Sequence, residues 1–157
     1  KINKLVVCTG PGSYTALRVG ISFMYGLSIS TKIPLLGISC PELLQFAISK
    51  SNQRKTLMFI SSSNQQNYIC TQSNRSKKYI IKKINDKLYL NNTDYLKYKY
   101  SISNYKISKN VIKKFDLNNH QVIKLREIVK YNLKEILSLP VNEIIKPIYI
   151  SENKILN

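Results

Sequence analysis

The sequence has few of the side chains from which most catalytic and metal sites are built. Its 157 residues include one histidine, eight acidic residues, three cysteines and no tryptophan. A single histidine excludes a two-histidine metal site, and the carboxylates are spread along the chain without a close pair for acid–base chemistry. We therefore predict a chain that is not an enzyme, with no catalytic residue, no metal site and no cofactor. His120 begins a predicted helix, where we expect it to cap the helix or face solvent.

The cysteines and the apolar segments exclude further classes of protein. Cys8, Cys40 and Cys70 are odd in number and lack CxxC spacing, so we expect reduced thiols that are buried as small hydrophobic side chains. No apolar run approaches the roughly 18 to 20 residues that a bilayer-spanning helix needs, and the N-terminal apolar segment is too short for a signal peptide. We expect a soluble cytoplasmic protein that does not bind membranes.

The charge of the chain is strongly unbalanced. Twenty-five basic residues against eight acidic ones give a formal net charge of +17. Such a charge favours a polyanionic partner such as a nucleic acid. Lysine, asparagine, isoleucine and tyrosine are also abundant together and the lysines are scattered, which is typical of codon bias in AT-rich DNA. Both interpretations stay open.

The first third of the chain alternates between strand and helix patterns. Residues 5–8 and 34–40 are short apolar runs typical of buried strands. A helix is predicted from Tyr14 to Thr31 with Ser13 as its capping residue, and a second helix follows Pro41 over 42–50. This order predicts a parallel α/β unit, and the polar stretch 49–55 predicts its boundary.

The helix predicted over 14–31 is apolar around much of its circumference. Its large side chains form two neighbouring stripes, Leu17, Ile21 and Met24 on one and Val19, Phe23 and Leu27 on the other. Glycine inside a helix costs roughly 0.5 to 1 kcal/mol relative to alanine, so Gly20 and Gly26 indicate close packing. A helix from a partner protein would provide that packing.

The rest of the chain has a different pattern. Residues 56–60, 67–71 and 77–84 are predicted as successive strands of a meander, and 91–110 is ambiguous between helix and strand. Residues 120–139 have the spacing of an amphipathic helix that Pro140 ends. A terminal strand is predicted over 146–150.

The turn between the first strand and the first helix, Gly-Pro-Gly-Ser, has two interpretations. Free backbone N–H groups at a helix start attract anions, but this turn lacks the lysine of a phosphate-binding loop and Pro11 removes one donor. We predict a tight structural turn or a weak anion site made by Gly10, Gly12, Ser13 and Thr15.

A long ordered stretch matches a known family signature, GPGSFTGLRIG followed by IPLVGVSSLE. The matching residues are Gly10, Pro11, Gly12, Ser13, Thr15, Leu17, Arg18, Gly20, Gly26, Leu27, Ile33, Pro34, Gly37, Ser39 and Glu42. Near the C-terminus, Pro147, Tyr149 and Ile150 are in register with a P-x-YLR motif. On these residues the chain resembles the TsaB family, also called YeaZ and classed with glycoprotease-like proteins.

The resemblance implies an α/β chain with the actin/hexokinase-like ATPase fold, which is related to ribonuclease H, in two small lobes. Residues 1–50 would form a partial first lobe with the docking helix, and 51–157 a second α/β lobe. It also implies a non-catalytic scaffold subunit that binds a TsaD-like transferase, joined by a TsaE-like ATPase, for threonylcarbamoylation of the adenosine beside the anticodon of tRNA. The implied interface residues are Tyr14, Ala16, Leu17, Arg18, Gly20, Ile21 and Met24.

The chain also departs from the family pattern. Ala16 replaces a glycine, Ser151 stands where arginine is usual, and the family's first strands and first helix have no counterpart. We therefore expect an incomplete first lobe with an open sheet edge, as in a fragment or a degenerating gene. A homodimer, indirect or weak contact with tRNA, a basic RNA-binding module and a nucleotide-binding domain remain alternatives.

Overall fold

The computed structural model describes residues 2–62, 66–73, 78–84, 95, 98–107, 115, 119–142 and 144–150, and the backbone of 154–155. These residues form an α/β fold with two sheets, one of two strands and one of six. Among the described residues, no helix combines the length and the apolar character that crossing a bilayer requires.

The first sheet is a parallel pair joined by a long helix. Strand β1 (Leu5–Cys8) and strand β2 (Leu35–Ile38) pair in parallel, with Leu5 opposite Leu35 and Cys8 opposite Ile38. Helix α1 (Tyr14–Thr31) crosses between them, as predicted from the sequence. It ends at Lys32, whose φ of 58° places it in the left-handed conformation that often terminates helices.

Helix α2 (Cys40–Gln45) follows β2 directly and is shorter than the sequence predicted. Its start is a capping box, in which the Ser39 hydroxyl accepts from the Glu42 N–H at 3.3 Å and the Glu42 carboxylate accepts from the Ser39 N–H at 2.7 Å. Pro41 lies in the first turn, where its missing N–H leaves no intrahelical bond unmade. This box sets where the chain turns from β2 into α2.

The second sheet has the order β7-β6-β3-β4-β5-β8. Its strands are β3 (Thr56–Ser61), β4 (Asn67–Gln72), β5 (Tyr79–Lys83), β6 (Tyr100–Ser103), β7 (His120–Val122) and β8 (Lys154–Ile155). Strands β3, β4 and β5 form the antiparallel meander that the sequence predicts, and β6 and β7 extend the sheet in parallel on the other side. The ambiguous segment 91–110 therefore contains a strand, although 91–94, 96–97 and 108–110 lie outside the described residues.

The predicted helix over 120–139 is wrong in its first part and divided in its second. His120–Val122 continues the sheet as β7, since Ser101 to Ser103 of β6 pair with it. Two short helices follow, α3 (Leu125–Tyr131) and α4 (Leu133–Ser138), with Asn132 between them. The Ile128 carbonyl accepts from both the backbone N–H and the side-chain amide of Asn132, each at 2.9 Å, which closes the end of α3.

The predicted strand over 146–150 is also wrong. This segment has no strand pairing and runs instead along the first sheet, where the Ile148 N–H donates to the Thr9 carbonyl at 2.8 Å. Ile145 packs with Leu5, Ile21 and Leu35, and Ile136 packs with the core of β2 and α2. The C-terminal part thus contacts the first sheet, while the division into lobes at residue 50 stays a prediction.

Candidate functional site

The Gly-Pro-Gly-Ser turn is held by its own chain on several sides. The Gly10 carbonyl accepts from the Cys40 N–H at 2.8 Å, which joins the turn to the start of α2. Ser13 occupies the position before α1, but its side chain makes no capping bond, so the predicted hydroxyl cap is wrong. The Ser13 carbonyl instead accepts from the Leu17 N–H at 2.9 Å. These contacts support the structural interpretation of the turn, and anion binding there stays a prediction.

Gly10 has a backbone conformation that other residues rarely adopt. Its φ is +100°, and a Cβ atom on it would lie 2.8 Å from Leu17 Cδ1 and 3.2 Å from the Gly12 nitrogen. Glycine is favoured at such a φ because it has no Cβ to clash with the backbone. The turn that sets the direction of α1 therefore depends on this glycine.

The inner face of α1 packs against its own sheet. Ile21 is 5% exposed and lies in one cluster with Leu5 and Leu35, and Met24 is half-buried against the same cluster. Leu17 lies over Gly10 and Gly12. Of the residues predicted to contact a partner, Ile21 is thus buried inside the chain. The resemblance placed the stripe of Leu17, Ile21 and Met24 at the partner interface, whereas Ile21 and Met24 of this stripe pack toward the sheet.

The outer face of α1 is apolar and uncovered. Val19 is 64% exposed, Phe23 68% and Ile29 76%. Among the described residues, and apart from the adjacent backbone of α1 itself, no heavy atom lies within 4 Å of a Cβ atom built on Gly20 or Gly26. Ala16, Val19, Phe23 and Gly26 are spaced three or four apart, so they form one stripe, which we call the outer stripe. The small residues on and beside this stripe leave space for another backbone to approach.

Arg18 lies beside the start of the outer stripe and contacts two tyrosines. Its guanidinium carbon is 4.3 Å from the centroid of the Tyr14 ring, and its Nε donates to the Tyr149 hydroxyl at 3.0 Å. The two tyrosine rings are 4.6 Å apart between centroids. Arginine and tyrosine held in this way are enriched in the energetic centres of protein interfaces. The sequence predicted Tyr14 and Arg18 but not their contact with Tyr149.

His120 lies in a sheet and not at a helix start, which corrects the prediction made for it. Its Nδ1 is 2.8 Å from the Ser101 hydroxyl and its Nε2 is 3.3 Å from the Ser103 hydroxyl. Its ring packs edge-on against Phe59 at 6.4 Å between centroids. Burial lowers the pKa of His120, because desolvation disfavours the charged imidazolium.

The lowered pKa of His120 predicts a loss of stability in acid. As the pH falls below the ordinary histidine pKa near 6.5, the unfolded chain binds a proton on His120 more readily than the folded chain does. The contribution of neutral His120 to the free energy of unfolding is therefore complete above that pH and decreases below it. We expect the difference in melting temperature between wild type and His120→Gln to shrink or change sign between pH 7.5 and pH 5. Thermal melts at both pH values measure it. A constant difference would contradict the prediction.

A cavity of about 580 Å³ lies beside the turn and the C-terminal segment. Its polar lining includes Thr9, Ser39, Glu42, Asn142 and Lys146. The Asn142 side-chain oxygen accepts a hydrogen bond from the Gly37 N–H at 2.8 Å. The Glu42 carboxylate is part of the α2 capping box. Within the described ranges, no group of three or more histidine, cysteine or acidic side chains could hold a metal ion.

Comparison with known proteins identifies a family over most of the chain. The family model described as tRNA N6-adenosine threonylcarbamoyltransferase, TsaD, matches residues 1–137. The Escherichia coli K12 protein named tRNA threonylcarbamoyladenosine biosynthesis protein TsaB is 42% identical over 38 residues. That match covers 24% of this chain and 16% of the E. coli protein.

Two solved structures from Pseudomonas aeruginosa share the fold. One is described as an uncharacterized protein with similarity to peptidase YEAZ, with a TM-score of 0.54 and 11% identity over 96% of this chain and 74% of its own. The other is YeaZ, with a TM-score of 0.52 and 11% identity over 95% and 74% of the two chains. At this identity the likeness is evidence for the fold alone, and it confirms the predicted α/β fold as the one that the YeaZ structures share.

Proposed function

Because the chain belongs to the tRNA N6-adenosine threonylcarbamoyltransferase family and is similar to TsaB (YeaZ) proteins, we propose that it takes part in threonylcarbamoyladenosine biosynthesis in tRNA. In this proposal it is a non-catalytic scaffold subunit that binds a TsaD-like transferase through α1. A TsaE-like ATPase joins the assembled complex. We expect the complex to act in the cytoplasm.

The single observation that carries the proposal is the uncovered outer stripe of α1. Exposed apolar side chains of this size that adjoin one another are typical of interaction sites. Val19 and Phe23 provide apolar area for burial, and Gly20 and Gly26 provide the space for a second helix to approach. A helix from the partner, packed along α1, would cover both features at once.

Arg18 and its two tyrosines supply a polar anchor at one end of this surface. The ring contacts and the 3.0 Å hydrogen bond hold the guanidinium in one place before any partner binds. A group that is already ordered loses less conformational entropy on association. Tyr14, Arg18 and Tyr149 are therefore expected to set the orientation of the partner on α1.

The non-catalytic role is supported by the surroundings of the candidate nucleophiles and bases. Ser101 and Ser103 contact His120, but these groups belong to strands β6 and β7, where Ser101 and Ser103 are buried. Ser13, the serine of the turn, lies directly before α1 and follows the first sheet, whereas His120 belongs to the second sheet. A catalytic serine needs an accessible position beside its base, which this arrangement does not provide.

Co-purification with a TsaD-like transferase tests the proposal. We expect a complex at micromolar concentration, detected as one peak in size-exclusion chromatography with light scattering. The free chain, run alone at the same concentration, reports whether a second copy covers α1 in the absence of the partner. Separate elution of two folded proteins would contradict the proposal.

Direct binding of tRNA is a second candidate function, favoured by the positions of three cations. Lys50, Arg54 and Lys55 line a cavity of about 980 Å³ between the end of α2 and β3, and all three are exposed. Phosphate contacts of this kind make affinity fall steeply with salt. Binding of tRNA by the isolated chain that weakens with salt, and is lost in a triple glutamine variant of these residues, would favour this function over the scaffold role.

A further inference from the structure

Two of the three cysteines lie side by side although 32 residues separate them in sequence. Cys8 is the last residue of β1 and Cys40 the first residue of α2. Their Sγ atoms are 3.5 Å apart. The parallel register places Cys8 opposite Ile38, two residues before Cys40, so the pairing of β1 with β2 brings the two thiols together.

The two thiols differ in access and surroundings. Cys8 is half-buried, whereas Cys40 is 5% exposed and its Sγ also lies 3.6 Å from the Pro11 carbonyl oxygen. Cys70 is fully buried in β4, within the same hydrophobic cluster. An oxidant from solvent therefore reaches Cys8 before it reaches either of the other cysteines.

The hydrogen bond between the two thiols also gives them different pKa values. Donation from the Cys40 thiol, with a further bond from the Gly10 amide, holds the pKa of Cys8 below its ordinary value. The same bond and burial raise the pKa of Cys40. Of the two thiols, Cys8 is therefore the more easily deprotonated, and the thiolate is the reactive form of cysteine.

We propose that Cys8 and Cys40 form a reversible oxidation site, at which a hydroperoxide converts the two thiols into an intramolecular disulfide. The Cys8 thiolate attacks one peroxide oxygen, the O–O bond breaks, and Cys8 becomes a sulfenic acid while hydroxide or alkoxide leaves. Cys40 then loses its proton and attacks the Cys8 sulfur, the S–O bond breaks, and water leaves. Two thiols are oxidised by two electrons and one peroxide is reduced.

The geometry requires only a small movement for the second step. A disulfide bond is about 2.05 Å long, so the sulfurs must approach each other by about 1.5 Å. Cys40 lies at the start of a six-residue helix and Cys8 at the end of a strand, so rotation of two side chains supplies part of this approach. Because Cys40 is buried beside Cys8, it competes with solvent thiols for the sulfenic acid.

Peroxide treatment of the full chain at pH 7.5, followed by alkylation in denaturant and peptide mass mapping, tests the proposal. We expect a peptide pair linked through Cys8 and Cys40, with the loss of two hydrogen atoms, that dithiothreitol restores to free thiols. Cys70 is expected to be alkylated as a free thiol. Its reaction with peroxide should be about tenfold or more slower, because burial suppresses thiolate formation.

Two variants serve as matched controls. Cys70→Ser should still form the linked peptide at an unchanged rate. Cys40→Ser should leave a sulfenic acid on Cys8 that dimedone traps, without an intramolecular disulfide. Two results in the wild-type chain would overturn the proposal: over-oxidation of Cys8 while Cys40 stays free, or a disulfide that includes Cys70. Neither result depends on whether the variants fold.

Discussion

Phe23→Asp is expected to weaken the complex with a TsaD-like transferase by about 30-fold or more while leaving the chain folded. Phe23 is 68% exposed on the outer stripe of α1, so the change removes no internal packing. In the proposed complex, however, it places an unpaired carboxylate in a desolvated apolar contact. A loss at a central contact of this kind is about 2 kcal/mol or more, which is about 30-fold in Kd. Isothermal calorimetry or biolayer interferometry would measure it.

Tyr131→Asp is the matched control, because it removes a large exposed ring on another helix. Tyr131 is 75% exposed on α3, away from the outer stripe. Its variant should bind the transferase with the affinity of the wild type, and both variants should melt near the wild-type temperature. Equal loss of affinity in both variants would indicate a nonspecific effect of charge. Unchanged affinity in Phe23→Asp would show that α1 docks through another face.

Gly10→Ala is expected to destabilise the chain and to misdirect α1. A residue with a Cβ atom at a φ of +100° stores backbone strain of about 1 to 3 kcal/mol. The added carbon would also press on Leu17 Cδ1 at 2.8 Å. For a chain of this size, the melting temperature falls by roughly 2 to 4 °C for each kcal/mol. Thermal unfolding followed by circular dichroism would measure the change.

Gly20→Ala is the opposite control, since the same substitution has space at this position. In the part of the chain that the structure describes, no heavy atom beyond the adjacent backbone of α1 lies within 4 Å of the added carbon. Alanine favours a helix by about 0.5 to 1 kcal/mol over glycine. The monomer should therefore gain stability. If Gly10→Ala were as stable as the wild type, the turn would tolerate a side chain and the role assigned to Gly10 would be wrong.

The sequence predicts those elements whose signals are local. Helix α1 has the predicted bounds, because a Gly-Pro-Gly-Ser turn precedes it and its apolar residues repeat with the helical period. The meander of β3, β4 and β5 follows from three apolar runs separated by polar turns. The family resemblance is carried by the same first part of the chain.

Features that depend on distant contacts could not be predicted from local pattern. The segment that begins at His120 has helical spacing, yet its first three residues form β7 because β6 offers a free edge 19 residues earlier. The sequence assigns Ile21 to the partner interface, but its packing with Leu5 and Leu35 places it inside the chain, and local pattern does not reveal that contact. The contact of Cys8 with Cys40 likewise depends on strand register, since no spacing rule joins positions 32 residues apart.

The C-terminal segment that lies along the first sheet has a consequence for synthesis on the ribosome. Ile145 completes the cluster of Leu5, Ile21 and Leu35, and its N–H donates to the Tyr25 hydroxyl at 2.7 Å. These contacts span 110 residues or more, so loop closure must precede any gain from them. The nascent β1–α1–β2 unit therefore has an unfinished core until residue 145 has been synthesised. During that interval its apolar surfaces are open to chaperones and to aggregation.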